Sequence, residues 1–153
     1  MTTTAFLTAL ATGRGSDSQP WIPHESGISS KLLSLFRDSG GWVSLLRLEP
    51  GVCVPKYRTR GEIHSYILSG RKRNETDGRV LGSGEYDFDP PGNINSWTVE
   101  GDEPLVILLI ALGLIEYLDH DGRVVRQETT ESKAEEYYKY CANRGIQPLN
   151  LYR

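Results

Sequence analysis

The chain is short of cysteine, of long apolar runs and of excess positive charge, and each shortage excludes something. Cys53 and Cys141 are the only cysteines in 153 residues. Two are too few to staple a small domain, so both are read as free thiols and the expected compartment is the cytoplasm. The most apolar stretch, Leu105 to Ile115, spans eleven residues, well under the ~20 that a membrane-crossing helix needs. Met1 to Ala11 lacks the basic start and long apolar centre of a secretory leader. Lys and Arg number 17 against 20 Asp and Glu, a net charge of −3, which gives no general attraction for nucleic acid or an anionic membrane. No repeat, Ser- or Pro-rich linker or shift in composition divides the chain.

What is present is turn chemistry. Sixteen glycines and eight prolines are spread along the chain, a distribution that suits many short strands. Residues 42–48 form an apolar run closed by Glu49-Pro50-Gly51. In 63–69 the residues Ile63, Ser65 and Ile67 share one face, with His64, Tyr66 and Leu68 on the other. Acidic and aromatic residues alternate over 85–89 and stop at Pro90-Pro91-Gly92, after which Asn95, Trp97 and Val99 share a face. Residues 105–118 read as one strand or as two around Gly113. Asp119-His120-Asp121-Gly122 then makes a hairpin-like turn with a return from Arg123. Strands at this spacing predict a sandwich or barrel.

Only the C-terminal region reads as helix. Ser132 and Glu135 stand at capping-box spacing, and Ala134, Tyr137, Tyr138 and Cys141 form one stripe before Gly145. The stripe is read as packing on the barrel. Trp21-Ile22-Pro23 reads as an extended arm or edge strand. His24 follows it, and could reach the barrel mouth if the arm folds over, although nothing in the spacing fixes this.

The spacing of Gly51, Gly61, His64, Tyr66, Gly70, Gly84, Pro90 and Gly92 resembles the two motifs of the cupin superfamily. Longer stretches, Gly41 to Arg47, Gly61 to Gly70, Gly84-Glu85-Tyr86 and Asp119 to Arg123, are similar to the ChrR-like cupin family. That family includes 2,4'-dihydroxyacetophenone dioxygenase and acetylacetone-cleaving dioxygenases. The resemblance implies an all-β fold, a double-stranded β-helix or jelly-roll barrel whose interior holds the site, with a C-terminal α-helix. The expected division is an arm over 1–20, a barrel over 21–128, and a helix and tail over 129–153 packing on the barrel. The resemblance also implies a homodimer formed through strand exchange or sheet edges.

Active members of that family hold a non-haem iron with a His-x-His pair after the first glycine and a third histidine after Pro-x-Gly. Tyr57, Thr59 and Asn95 stand at those three places in this chain. Tyr, Thr and Asn together are weak or hard ligands for Fe²⁺, so neither a metal nor another cofactor is expected. His64 matches a histidine just beyond the pair.

If the alternation places these residues on one inner face, Tyr57, Thr59, His64, Tyr66, Asn95 and Trp97 line a polar pocket with an aromatic wall. His64 and Tyr57 are the candidate catalytic residues, one exchanging a proton near neutral pH and the other donating to an enolate oxygen. Tyr66, Asn95, Trp97, Thr59 and Arg58 are candidate substrate contacts, and Glu62 is a weaker base. The competing reading makes His64 a satisfied structural histidine and Trp97 a packing residue. Between residues 56 and 79, Lys56, Arg58, Arg60, Arg71, Lys72, Arg73 and Arg79 outnumber the acids by four. They form either an attractor for an anionic ligand or a solvated face.

The reading that follows is a metal-independent cupin enzyme performing isomerisation, cyclisation or C–C cleavage on a small carbonyl compound, aromatic or polyketide-like, by acid-base chemistry. Two alternatives stand beside it: an iron-dependent dioxygenase that cleaves a diketone or hydroxyketone, and a non-catalytic cupin that binds a small molecule.

Overall fold

The computed structural model describes residues 19–153; most of the arm expected over 1–20, and the segment Met1 to Ala11, lie outside the described residues. Twelve strands form two six-stranded sheets. In the first, the order is β1 (Ile22–Pro23), β2 (Ile28–Leu35), β3 (Trp42–Leu48), β10 (Leu105–Ala111), β5 (Ile63–Ser69) and β8 (Tyr86–Asp89). In the second it is β12 (Val124–Glu128), β11 (Ile115–Leu118), β4 (Cys53–Thr59), β9 (Ile94–Glu100), β6 (Arg71–Asn74) and β7 (Val80–Gly82). Every pairing between these strands is antiparallel. Successive strands alternate between the sheets over much of the chain, the jelly-roll arrangement the motifs implied.

The core lies between the sheets. Trp42 and Leu48 on β3, Ile67 on β5, Trp97 on β9, and Leu105 and Ile107 on β10 are all buried. Such side chains alternate along each strand with residues that face outward, which fixes the register. Residues 105–118 do form two strands, because the chain turns sharply beside Gly61. An added Cβ on Gly61 would collide with the Leu112 carbonyl, so this motif glycine is required by close backbone approach.

One helix, α1 (Thr130–Arg144), follows the last strand. It begins three residues before the expected cap: Thr129 is the N-cap, and its hydroxyl accepts from the Ser132 N–H at 3.0 Å while the Thr129 N–H donates to the Ser132 hydroxyl at 2.8 Å. Ser132 therefore takes the role assigned to Glu135. Ala134, Tyr137 and Cys141 are buried as the stripe implied, whereas Tyr138 is exposed. Thr130 anchors the helix by accepting from the Gly41 N–H at 2.7 Å. The C-terminal tail lies beside β2, where the Leu35 N–H donates to the Leu151 carbonyl.

Candidate functional site

A cavity of about 250 Å³ opens between the sheets at one end of the barrel. Its floor and walls are Trp42, Leu46 and Leu48 from β3, Tyr57 from β4, Trp97 from β9 and Tyr117 from β11. Its rim comes from three separate elements: His24 and Glu25 from the β1–β2 turn, Arg126 and Glu128 from β12, and Lys133 from α1. The interior is thus mostly apolar and aromatic, with charge confined to the mouth, the usual plan of a small-molecule pocket.

Local turn chemistry positions His24. Ser26 and Gly27 take positive φ of 25° and 80°, reversing the chain so that the His24 N–H donates to the Ile28 carbonyl at 2.8 Å. The imidazole then sits with Nε2 2.7 Å from the Ser30 hydroxyl and Nδ1 3.7 Å from the Glu136 carboxylate. Burial lowers the pKa of this histidine; Glu136 opposes that shift without overcoming it. Of the two readings of residues 21–23, the structure has the edge strand, and His24 lines the cavity from the turn that follows it, a residue missing from the site drawn from strand alternation.

The other mouth residues are restrained by aromatic rings. Lys133 pairs with Glu128 at 3.1 Å, and its ammonium lies 5.5 Å from the Trp42 ring centre. The Arg126 guanidinium stacks 4.1 Å from the centre of the Tyr117 ring. Burial, assisted by the Glu128 carboxylate, pushes the Tyr117 phenol above its ordinary value, so it acts as a neutral hydroxyl.

Beneath the cavity, the residues at the family's ligand positions are engaged in hydrogen bonds, Tyr57 and Asn95 to Asp89 and Thr59 to the Gly61 carbonyl. The Tyr57 hydroxyl donates to Asp89 Oδ2 at 2.7 Å. Asn95 donates to Asp89 Oδ1 at 3.3 Å, and its own oxygen accepts from the Thr76 hydroxyl at 2.5 Å and from the Ser96 N–H at 2.9 Å. Asn93 completes the carboxylate at 2.9 Å. Thr59 is fully buried, and its hydroxyl donates to the Gly61 carbonyl. Burial and the neighbouring Asp89 carboxylate hold the Tyr57 phenol well above its ordinary value, so its proton is not readily released.

These residues do not fit the iron that the resemblance implies. The cluster offers no imidazole, its one phenol stays protonated, and each donor oxygen of Asp89 is already taken. Among the described residues, no group of three or more histidines, cysteines or acids could hold a metal ion.

Three further placements correct the expected site. His64 and Tyr66 lie on the outer face of β5, because Ile63, Ser65 and Ile67 are the buried set. His64 there contacts the Tyr86 hydroxyl through Nδ1 at 2.5 Å and Glu62 through Nε2 at 2.9 Å, a satisfied surface histidine away from the cavity. Arg58 also points outward and, with Arg60, pairs with Glu116. Of the expected inner residues, Tyr57 and Trp97 line the cavity, while Thr59 and Asn95 are inside but engaged.

The basic run forms no common face. Lys72 turns inward to Asp87 at 2.9 Å, Arg73 pairs with Glu75 and Glu100, and Arg79 pairs with Asp77 and Asp87. His120 is exposed in the β11–β12 turn, which Asp119 organises by accepting from the Asp121 and Arg123 N–H groups. Among the described residues, no helix is long and apolar enough to cross a membrane.

A profile of the ChrR cupin-like domain matches residues 13–115. The fold is similar to that of an RmlC-like cupin protein from Ralstonia eutropha, 20% identical over 91% of this chain and 92% of that one, with a TM-score of 0.87. It is also similar to an acetylacetone dioxygenase from Acinetobacter johnsonii, 16% identical over 78% of this chain and 85% of that one, at a TM-score of 0.71. The anti-sigma protein ChrR of Rhodobacter sphaeroides, solved in complex with SigE, is 22% identical over 67% of this chain and 54% of that one, at 0.55. A search of curated proteins finds no match. Likeness at these identities is likeness of fold.

Proposed function

The chain belongs to the ChrR cupin-like family, and from that premise we propose that it is a metal-independent cupin which encloses a small aromatic carbonyl compound and acts on it by proton transfer. The observation that carries this reading is the cavity: aromatic walls, a neutral histidine at its mouth, and a floor where hydrogen bonds have replaced ligand positions. A phenyl ring has Trp42, Trp97 and Tyr117 to pack against, and edge-to-face contacts with such rings add to simple burial.

The chemistry falls to the rim. Neutral His24 removes an acidic proton from the carbon beside the ligand carbonyl, and Glu136, 3.7 Å from the ring, stabilises the imidazolium that results. Lys133 and Arg126 line the same cavity and supply the positive charge that would stabilise an enolate oxygen. Return of the proton to a different carbon completes an isomerisation; attack of the enolate carbon on a second carbonyl of the same ligand, whose oxygen takes the proton from His24, completes a cyclisation; and on a β-hydroxyketone, removal of the hydroxyl proton breaks the Cα–Cβ bond to leave an aldehyde or ketone and an enolate that His24 reprotonates at carbon. The proton-handling role first given to His64 thus belongs to His24. The homodimer implied by the resemblance remains part of this reading, although the cavity is built within one chain.

One observation favours a second reading, a binding module without turnover: both His24 ring nitrogens already have neighbours, Ser30 and Glu136. Exchange in D₂O separates the two. Aromatic 1,3-diketones are incubated with the protein, and loss of the α-proton signal is followed by NMR beside a calorimetric binding measurement. Exchange that His24→Gln abolishes, unaffected by chelator, is the expected result. Binding without exchange establishes the module; exchange that requires added Fe²⁺ overturns both readings.

A further inference from the structure

The two sheets differ on their outer faces. On the second sheet the outward positions of β4, β6 and β9 are mostly polar or charged, among them Arg58 paired with Glu116 and Arg73 with Glu100, and its exposed apolar side chains are scattered, Ile94 on β9 and Val80, Val124 and Val125 on the edge strands β7 and β12. That is how an antiparallel sheet meets water. On the first sheet the outward positions of four strands are mostly apolar, with His64 and Arg47 the exceptions. One row across it runs Val43, Ile110, His64, Phe88; the next runs Leu45, Leu108, Tyr66, Tyr86. Val106 and Leu68 extend it on a third level.

The patch is wet and large in this chain alone. Tyr66, Phe88 and Tyr86 are 43%, 40% and 56% exposed, and Leu68 is 45% exposed. Rings of ~200 Å² at that exposure contribute roughly 300 Å². The half-buried aliphatic side chains of β3 and β10 bring the face to about 600 Å², the upper end of what a monomer leaves uncovered.

We propose that this face is the contact between two copies of the chain, stacked sheet on sheet about a twofold axis. Two such faces bury about 1,200 Å², where specific interfaces begin, so one patch used twice suffices. The charges at its margin are self-complementary. Arg47 lies at one corner, opposite Val106 and within one chain 3.2 Å from the Glu49 carboxylate, and Glu62 lies at the diagonal corner, hydrogen-bonded to His64, so each would exchange or share its exposed partner across the contact. Each is 43% exposed. A twofold axis in the plane of the face brings Arg47 of each copy to Glu62 of the other, as an isologous contact requires. The contact uses the sheet face, whereas the resemblance implied strand exchange or an edge, and the cavity mouth stays open.

Sedimentation velocity over a dilution series of the full chain tests this. A dimer is expected for the wild type, and Leu108→Glu, at the centre of the patch, should yield monomer. A core-adjacent change also acts through folding, so two surface variants accompany it. Arg47→Glu and Glu62→Arg should each raise the dimer dissociation constant by at least about 10-fold, and the double variant should recover most of the loss. Near-UV circular dichroism and ligand uptake should stay unchanged in both, which separates failure of this contact from failure of the cavity reading. A wild type that is monomeric at roughly 100 μM overturns the proposal, whether the face is then covered by residues 1–18 or by a different protein. A dimer indifferent to all four variants overturns it equally.

Discussion

The Tyr57 hydroxyl donates to Asp89 Oδ2 across 2.7 Å at the point where the family's first iron-binding histidine would stand. This contact turns a ligand position into a buried strut between β4 and β8. Tyr57→Phe keeps the ring in the cavity wall but leaves Asp89 Oδ2 without its donor, while Asn93 and Asn95 still serve Oδ1. The expected cost is about 2 kcal/mol of folding stability, read as a lower midpoint in urea, with cavity ligand affinity changed less than about threefold. A large loss of affinity with unchanged stability would show that the hydroxyl serves the ligand and not the fold.

A second buried pair makes a pH prediction. Lys72 and Asp87 meet at 2.9 Å and are both nearly inaccessible. Burial by itself raises the Asp87 pKa, but the Lys72 ammonium, the Asn74 amide and the Phe88 N–H outweigh it, so the carboxyl is held below its ordinary value. The sign is fixed by linkage: this stabilisation is present above the unfolded value, ~3.9, and is lost as pH falls through the lower folded value. Lys72→Met removes the main counter-charge and should cost about 3–5 kcal/mol at neutral pH. Burial then raises the Asp87 pKa in the variant, so the deficit should shrink on acidification. Unfolding free energies at neutral pH and near pH 5 check the narrowing, and a constant gap would contradict it. Lys72→Met with Asp87→Leu should recover most of the loss.

Much of this architecture is written in alternation and turn residues. Residues 42–48 and 63–69 are β3 and β5 as read, and the Asp119 to Gly122 hairpin joins β11 to β12. Alternation, however, names two faces without saying which is inside. On β5 both faces carry large apolar or aromatic side chains, since the outer one belongs to an apolar patch, and the weight given to His64 and Tyr66 chose the wrong side. The small buried Ser65 between Ile63 and Ile67 was the available clue. The sequence 71–74, Arg-Lys-Arg-Asn, hides β6 altogether, because Lys72 and Asn74 are buried by pairing instead of by apolarity. His24 carries no local signal: its neighbours Ser30 and Glu136 come from the next strand and from a helix more than a hundred residues away.

The cavity can be closed without disturbing its walls. Ser44 on β3 lines it and is 3% exposed. Ser44→Phe projects a ring into space that is already bounded by Trp42 and Leu46, in a cavity large enough to take it. Filling space costs little when the space exists, so thermal stability should be unchanged or slightly raised. Aromatic ligand affinity should fall by at least about tenfold. Retained affinity would place the ligand elsewhere on the protein.

The acid limb of the proton-exchange profile reports on His24. Its pKa lies below the ordinary 6.5 because burial outweighs the pull of Glu136. A histidine depressed in this way favours the folded state above the unfolded value, and that contribution is lost as pH falls through the folded value. As a base, it is also competent throughout the range above that lower value. Exchange should therefore persist below pH 6.5 and decline only further into acid. Glu136→Gln removes the larger of the two charges that raise the pKa, Glu136 and Glu128, and should move the limb to still lower pH while leaving exchange at neutral pH within a few-fold of wild type. A limb above 6.5, or one that Glu136→Gln leaves in place, would assign the proton transfer to another residue.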